Sequence, residues 1–233
     1  KERQWISGFD GSAGTVALTL EKAGLWTDSR YFLQGSEQLK GTTIELMKQG
    51  LPETLEIIPW LMSELKSGDK VGVNAQMFSV NAYASMKNEL KSVGIQLVSI
   101  DLIDKIWNDR PSLPLNPFFV FEKKYTGKTV VEKLEMVRAE MKKVRADVYV
   151  LSALDDIAWL FNIRGNDVNY NPVTIAYALV DEQSSTLFIA PEKCTPETLQ
   201  YLKEGGVQVA DYNQVKQTLG KVGKSKSVLI DGG

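Results

Sequence analysis

The sequence predicts an α/β protein built from two similar modules, each a mixed β-sheet flanked by helices. Three observations support this fold class. A seven-residue motif occurs twice, as WISGFDG at residues 5–11 and as WLFNIRG at residues 159–165. A similar order of strands and helices follows each copy. Between the modules, Pro111, Pro114 and Pro117 recur every third residue, which favours an extended polyproline segment that joins them.

In the first module, runs of β-branched and aliphatic residues predict strands, and apolar residues spaced three or four apart predict helices. Pro59 is expected to kink one of these helices or delay its start. The predicted order is a hairpin at 15–20 and 25–28, a helix at 30–39, a strand at 43–48, a helix at 54–66, a strand at 71–74, a helix at 81–92 and a strand at 95–100.

The second module opens with a helix at 129–146, because apolar residues from Val130 to Val144 form one stripe with charges opposite. A helix at 195–206 is expected to begin with Thr195 as its N-cap and Pro196 at its first position. The other predicted elements are a strand at 147–154, a helix start at Asp155-Asp156, a hairpin at 173–180 and 186–190, a strand at 207–212, a helix at 213–222 and a strand at 227–233.

These elements divide the chain into predicted domains at 1–121, which includes the proline-rich linker, and 122–233. The helix and strand at 129–154 have no counterpart before Trp5, and those at 81–100 have none after Gly233. We therefore expect the first domain to be truncated at its N-terminus and the second at its C-terminus, each with one sheet edge missing.

Composition excludes several kinds of site. The chain has 233 residues, a net charge of −2, no histidine and one cysteine, Cys194. Without histidine there is no Ser-His-Asp triad, Cys-His pair or His-containing zinc site, although a carboxylate pair or an all-carboxylate metal site stays possible. A single cysteine rules out an intrachain disulfide and favours a reducing compartment. Interspersed charges and the lack of a long apolar run predict neither nucleic acid nor a membrane as partner.

Most candidate motifs have a structural explanation. GFDGSAG at 8–14 predicts a tight turn, because a phosphate loop would be followed by a helix and here a strand follows. The adjacent carboxylates Asp155 and Asp156 point apart in regular structure, so a helix-start role is favoured over a shared proton or metal. The remaining scattered carboxylates have no evident common point; they are Asp10, Asp28, Asp167 and Asp231.

The most unusual segment is NIRGNDVNYNP at residues 162–172, which is polar, rich in Asn and predicted to be an exposed loop. Its one cation, Arg164, could bind a carboxylate of a partner or substrate in a bidentate manner. Alternatively, Arg164 forms an internal ion pair with Asp167, Asp155 or Asp156. The sequence favours neither interpretation over the other.

Four motifs in order, SGFDGSAGT, LWTDSRYFLQ, LIDKIWNDRP and ALDDIAWLFNIRGNDVNYNPV, resemble those of the cytosolic-type Xaa-Pro aminopeptidases, or aminopeptidase P, of the pita-bread metallopeptidase group. The resemblance runs from Trp5 to about residue 190. It implies two creatinase N-terminal-like domains here and a third, catalytic pita-bread domain elsewhere. In that family, two Asp, one His and two Glu of the third domain bind two divalent metal ions, commonly manganese, and the enzyme removes an N-terminal residue that precedes proline.

For this chain, the resemblance implies no catalytic residue and no metal ligand. It implies a cytoplasmic protein whose partners are its own catalytic domain, an Xaa-Pro peptide and a second copy in a homodimer. The loop residues Arg164, Asp167 and Asn171 are the candidates nearest the substrate path. A stand-alone binding or scaffold protein and a hydrolase that uses carboxylates alone are the alternatives. The residues after position 233 would discriminate the aminopeptidase part from the stand-alone scaffold protein.

The chain departs from the family at Thr27-Asp28-Ser29-Arg30-Tyr31, where Gly is usual in place of Ser29. If that turn needed a positive φ, Ser29 would be strained. We expect a locally adjusted turn without loss of function.

Overall fold

The computed structural model describes residues 1–223 and 225–232. They form two compact units, one of Lys1–Arg110 together with Gly232 and one of Pro111–Asp231. Each unit combines mixed β-sheet with helices, so the predicted α/β class is confirmed. Across the described residues, the helices are too short or too polar to span a bilayer.

The first unit has a three-stranded sheet in the order β1-β2-β3 and a two-stranded sheet β4-β5. Strands β1 and β2 form an antiparallel hairpin, whereas β2-β3 and β4-β5 are parallel. Its elements are α1 (Glu2–Ser7), β1 (Thr15–Leu18), β2 (Ala23–Thr27), α2 (Phe32–Gln38), β3 (Ile44–Lys48), α3 (Ile57–Glu64), β4 (Lys70–Val73), α4 (Val80–Ser92) and β5 (Gln96–Ser99).

The second unit has a five-stranded sheet in the order β11-β10-β9-β7-β12, with a short antiparallel pair β6-β8 beside it. Its elements are β6 (Phe119–Val120), α5 (Lys123–Thr126), α6 (Val130–Lys143), β7 (Val148–Leu151), α7 (Leu154–Leu160), β8 (Ile163–Arg164), β9 (Tyr177–Asp181), β10 (Ser185–Ile189), α8 (Pro196–Glu204), β11 (Val207–Asp211), α9 (Val215–Val222) and β12 (Val228–Ile230).

The repeated motif forms the C-terminal turn of a helix in both units. Trp5 lies in α1 and Trp159 in α7, and each helix is followed by a left-handed residue. That residue is Gly8 in the first copy, with φ of 74°, and Asn162 in the second, with φ of 50°. Gly and Asn are the residues that adopt this conformation at least cost. The sequence analysis missed α1, because six residues carry too little periodicity to predict a helix.

The glycine that closes each motif is required by close packing. A Cβ on Gly11 would overlap the ring of Phe9, and a Cβ on Gly165 would lie 2.9 Å from Thr174 Cβ and 3.0 Å from the carbonyl oxygen of Val173. The two halves of the chain thus share a Trp, a left-handed residue after its helix and a glycine with no room for a Cβ.

Three predicted elements differ in detail. Helix α3 begins at Ile57, so Pro59 lies in its first turn, where a missing N–H breaks no intrahelical bond. Ser29 lies in a 3₁₀ turn and has no positive φ, since Asp28 caps this turn by accepting a 3.1 Å hydrogen bond from the Arg30 N–H. Strand β9 begins at Tyr177 rather than at residue 173.

The proline-rich segment has no helix or strand between residues 111 and 118. Its end belongs to the second unit, because Phe118 is 2% exposed in that core and β6 pairs with β8. The compact units therefore divide after Arg110, whereas the predicted domains at 1–121 and 122–233 place the whole segment with the first. The domain limits themselves stay a prediction.

Candidate functional site

The candidate site is the loop that follows α7, from Asn162 to Pro172. At its start, Asn162 is 1% exposed and belongs to the interior of the second unit. Its Nδ2 donates a 2.8 Å hydrogen bond to the Lys128 carbonyl oxygen, and its Oδ1 accepts a 2.6 Å bond from Lys133 Nζ. The loop is therefore anchored at one end by an amide side chain that also holds the left-handed turn.

Lys133 is a buried cation, 2% exposed, that the sequence analysis did not single out. Besides Asn162, its Nζ donates to the Trp159 carbonyl oxygen at 2.8 Å and lies 4.4 Å from the centroid of the Trp159 ring. Burial lowers the pKa of Lys133, and repulsion from Arg164 lowers it further. In the sequence it occupies a position next to the apolar stripe of α6, three residues after Val130, which was the available signal.

Replacement of Lys133 by Met should flatten the alkaline pH dependence of stability. The pKa of Lys133 in the folded state lies below 10.5, its value in the unfolded chain. At a pH between the folded-state pKa and 10.5, the unfolded chain therefore binds more protons than the folded one. Stability of the wild type therefore rises with pH through that window. Chemical unfolding at several pH values up to 10.5 measures the slope.

The control for this experiment is Lys143→Met on the same helix, whose side chain is 69% exposed. It should keep the wild-type slope. Equal slopes for wild type and Lys133→Met would contradict the burial of a cation at this position.

Arg164, on β8, is half-buried. Its Nη1 donates to the carbonyl oxygens of Ala158 at 2.7 Å and Ile163 at 2.8 Å, and its guanidinium carbon lies 4.8 Å from the centroid of the Phe121 ring. A cation near the last carbonyls of α7 complements the helix dipole. Among the described residues, the partners seen for Arg164 are these carbonyl oxygens and the Phe121 ring, and none is an Asp. The structure therefore does not support an internal ion pair of Arg164 with Asp155, Asp156 or Asp167.

Asp167 is buried, contrary to the exposed position expected from the sequence. Its side chain is 1% exposed and pairs with Lys193, which is 2% exposed. Oδ2 also accepts hydrogen bonds from Thr174 Oγ1 at 3.0 Å and the Ile175 N–H at 2.6 Å. Oδ1 is buried without a described partner. Asp167 therefore fastens the middle of the loop to Thr174 and Ile175, which follow the loop, and to Lys193.

The tip of the loop is exposed. Tyr170 has φ of 62° and a fully exposed side chain. Asn171 is also exposed, and its N–H donates to the Val168 carbonyl oxygen at 3.2 Å. The three predicted residues thus have separate environments: Asn171 at the tip, Arg164 half-buried on β8, and Asp167 beneath. The sequence analysis missed Tyr170 and Lys193, the second of which lies 26 residues from its partner.

Two family models, both described as Creatinase/Prolidase N-terminal domain, match residues 1–106 and 109–233. The chain belongs to the creatinase/prolidase N-terminal domain family. It contains two such domains in succession, which confirms the resemblance inferred from the four motifs and accounts for the internal repeat.

Relatives of this creatinase/prolidase N-terminal domain pair carry aminopeptidase names. A probable Xaa-Pro aminopeptidase P of Sordaria macrospora is 40% identical over 232 residues, which cover 97% of this chain and 38% of the relative. Xaa-Pro aminopeptidase 1 of Dictyostelium discoideum is 40% identical over 242 residues, covering 99% of this chain and 38% of the relative. The chain therefore spans little more than a third of the length of these relatives.

A solved structure matches most of this domain pair. The X-prolyl aminopeptidase of Caenorhabditis elegans, described as a cytosolic enzyme with a di-nuclear active site, is 35% identical with a TM-score of 0.91. The match covers 94% of this chain and 36% of the Caenorhabditis elegans chain.

The described residues of this domain pair do not fit a dinuclear metal site. In the described ranges, no three His, Cys, Asp or Glu side chains are grouped so that they could hold a metal ion. The carboxylates considered above have other partners: Asp10 accepts hydrogen bonds from Gln34 and Gln38, and Asp28 pairs with Arg30. Asp155 and Asp156 occupy the first turn of α7, as the sequence predicted.

Proposed function

We propose that this chain is the non-catalytic N-terminal part of a dinuclear metallo-aminopeptidase that removes the N-terminal residue from Xaa-Pro peptides. The observation that supports this most strongly is the match of 94% of the chain, at a TM-score of 0.91, to an X-prolyl aminopeptidase with a di-nuclear active site. The metal ions, which we propose to be manganese, would be bound by a separate catalytic domain. We further propose a cytoplasmic location and packing against that domain or a second subunit.

Within that enzyme, we propose that the loop at 162–172 borders the path of the substrate. Loops held by a rigid scaffold are suited to binding, because their exposed groups stay in place. Here Asn162 fixes the start of the loop, and Asp167 ties its middle to Ile175 just beyond its end. Tyr170 and Asn171 remain exposed between Asp167 and Ile175. Arg164 and Asn171 are the proposed contacts of the substrate path, and Asp167 is a positioning residue.

The first test compares the 233-residue chain with the longer protein that contains it. Both are assayed on an Xaa-Pro peptide with added manganese. We expect only the longer protein to cleave the peptide, since activation of water needs the metal site. Turnover by the 233-residue chain, abolished by a chelator, would contradict the proposal. A longer protein that binds peptide but does not cleave it would favour the scaffold alternative.

The second test removes the exposed groups of the loop in the longer protein. Tyr170→Asn keeps a residue that tolerates the left-handed conformation, and Asn171→Ala removes an exposed amide. We expect the double variant to raise KM for the Xaa-Pro peptide about threefold to tenfold, at a cost near 1 kcal/mol in binding, with an unchanged thermal midpoint.

The control for the loop variant is Met136→Ser on α6, which removes an apolar group that is 46% exposed outside the loop. It should leave KM unchanged. An unchanged KM in the double variant, together with unchanged stability, would remove the loop from the substrate path.

A further inference from the structure

Helix α1 of the first unit is covered on one face by a later segment of the same unit. The Trp5 ring stacks on the Trp107 ring, with centroids 5.1 Å apart and an angle of 17° between the planes. Three residues from each Trp, Glu2 of the helix forms an ion pair with Arg110. This face of α1 therefore binds an aromatic residue and an arginine that follows it by three positions.

The segment that supplies these two groups is a compact turn within the LIDKIWNDRP motif. The Ile103 carbonyl oxygen accepts a hydrogen bond from the Trp107 N–H at 2.9 Å, and the Trp107 carbonyl oxygen accepts one from the Arg110 N–H at 3.2 Å. The guanidinium carbon of Arg110 lies 5.7 Å from the centroid of the Trp107 ring. Because Trp107 contacts Trp5 and Arg110 contacts Glu2, the segment runs antiparallel to α1.

Helix α7 of the second unit presents the same two kinds of group. Asp156 and Trp159 occupy the positions that Glu2 and Trp5 occupy in α1, since each Trp lies three residues before the left-handed residue of its motif. Residues three apart lie on one face of a helix. Both side chains are exposed, and Trp159 is 45% exposed. The acid and the aromatic ring therefore form one accessible face of α7.

Neither group of this face has the partner that its counterpart has in the first unit. Among the described residues, the Asp156 carboxylate makes no hydrogen bond and no ion pair, and no ring stacks on Trp159. The ammonium group of Lys133 lies 4.4 Å from the centroid of the Trp159 ring, but Lys133 is 2% exposed and so covers the inner face of the ring. The outer face of the ring and the carboxylate are left open side by side.

We propose that the Asp156–Trp159 face of α7 is a docking site for a partner segment that carries an aromatic residue and, three positions later, an arginine. The aromatic ring stacks on the outer face of Trp159, and the arginine pairs with Asp156, in the arrangement that α1 shows. Stacked aromatic rings and arginine are the groups that contribute most at protein interfaces. The docking site does not depend on the proposed aminopeptidase activity, since its evidence comes from the repeat.

A second copy of this chain does not supply that segment from its own turn. Trp107 is 8% exposed, and Arg110 pairs with three carboxylates, those of Glu2, Asp101 and Asp104. The turn would lose all these contacts on leaving its own unit and regain only two of them on α7. The partner is therefore a different segment with the same chemistry.

The test offers such a segment to the whole chain by reversible disulfide exchange. Ser152, which is exposed two residues before α7, is replaced by Cys. Two peptides compete for it at equal concentration: residues 106–110, IWNDR, followed by Gly-Gly-Cys, and the same peptide with alanine in place of its Trp and Arg. The antiparallel course places the cysteine of the peptide near residue 152. Tethering raises the effective concentration, so that weak contacts are measured.

At equilibrium, we expect the peptide with Trp and Arg to exceed the alanine peptide about fivefold to tenfold at residue 152, from one aromatic pair and one exposed ion pair. Peptide mapping by mass spectrometry separates this disulfide from any disulfide at Cys194. The matched control carries the new cysteine as Lys143→Cys on α6, where the native side chain is 69% exposed. There the two peptides should be equally abundant.

Charge reversal tests the Asp156 contact separately. With Asp156→Arg beside Ser152→Cys, a peptide with glutamate in place of its arginine should exceed the arginine peptide. Asp156→Asn should remove the preference between these two charged peptides, and it serves if the arginine variant does not fold. Equal amounts of the first two peptides at residue 152, the same preference at residue 143, or an unaltered order of the charged peptides in both Asp156 variants would overturn the proposal. A dimer of the unmodified chain that protects Trp159 from solvent would overturn the assignment to a different segment.

Discussion

Lys193→Met is expected to destabilise the second unit by about 3–5 kcal/mol, because it leaves the carboxylate of Asp167 buried without its cation. Both side chains are at most 2% exposed. The remaining donors to Oδ2, Thr174 Oγ1 and the Ile175 N–H, do not neutralise the charge. Urea unfolding at pH 7 measures the loss.

Two further variants separate the buried charge from the loss of a lysine. Lys143→Met breaks an ion pair with Glu140 in which both side chains are about 70% exposed, and it should cost less than about 1 kcal/mol. Combining Lys193→Met with Asp167→Asn should recover part of the loss, since no unpaired charge remains. If Lys193→Met cost no more than Lys143→Met, the buried pair would not anchor the loop.

Asn162→Ala is expected to cost about 3–5 kcal/mol. Lys133 loses the 2.6 Å acceptor for its buried ammonium group, which is worth about 1.5–3 kcal/mol for a charged donor. Alanine at φ of 50° adds about 1–2 kcal/mol of left-handed strain. The Lys128 carbonyl oxygen also loses its donor. Chemical unfolding gives the total.

The first copy of the motif supplies the matched control, Asn162→Gly. Gly8 occupies the equivalent position at φ of 74°, so glycine should remove the left-handed strain and keep the loss of hydrogen bonds. We expect Asn162→Gly to be more stable than Asn162→Ala by about 1 kcal/mol. Equal stabilities for the two variants would show that the turn conformation contributes nothing at this position.

The sequence predicted those parts of the fold that depend on local pattern. The hairpins, α4, α6 and α8 follow from alternation, helical spacing and the Thr195 cap, whose Oγ1 accepts a 3.2 Å hydrogen bond from the Thr198 N–H. The repeat predicted the order of the elements in both units. Short pieces such as α1 and β8 could not be predicted. The six residues of α1 contain less than two periods of a helical pattern, and the two residues of β8 contain one period of a strand pattern.

The candidate site was predicted as a loop but not as an arrangement of side chains. A segment rich in Asn and Asp is typical of solvent-exposed turns, and the sequence carries no sign that Asp167 is turned inward. Its burial depends on Lys193, in a 3₁₀ turn far along the chain, and on donors at the end of the loop. Lys133 was similarly missed. A lysine beside an apolar stripe usually lays its flexible aliphatic chain along the apolar surface and keeps its ammonium group in water.

The left-handed residue after each Trp-bearing helix offers a way to find distant proteins of this architecture. Only Gly, Asn or Asp adopts that conformation at low cost, and the closing Gly leaves no room for a substituent. The pattern to search for is a Trp, a Gly or Asn three residues later, and a Gly three residues after that, present twice in one open reading frame. Such a search would depend on steric requirements rather than on overall sequence identity. It would select genes in which both copies kept the turn after most other residues had diverged.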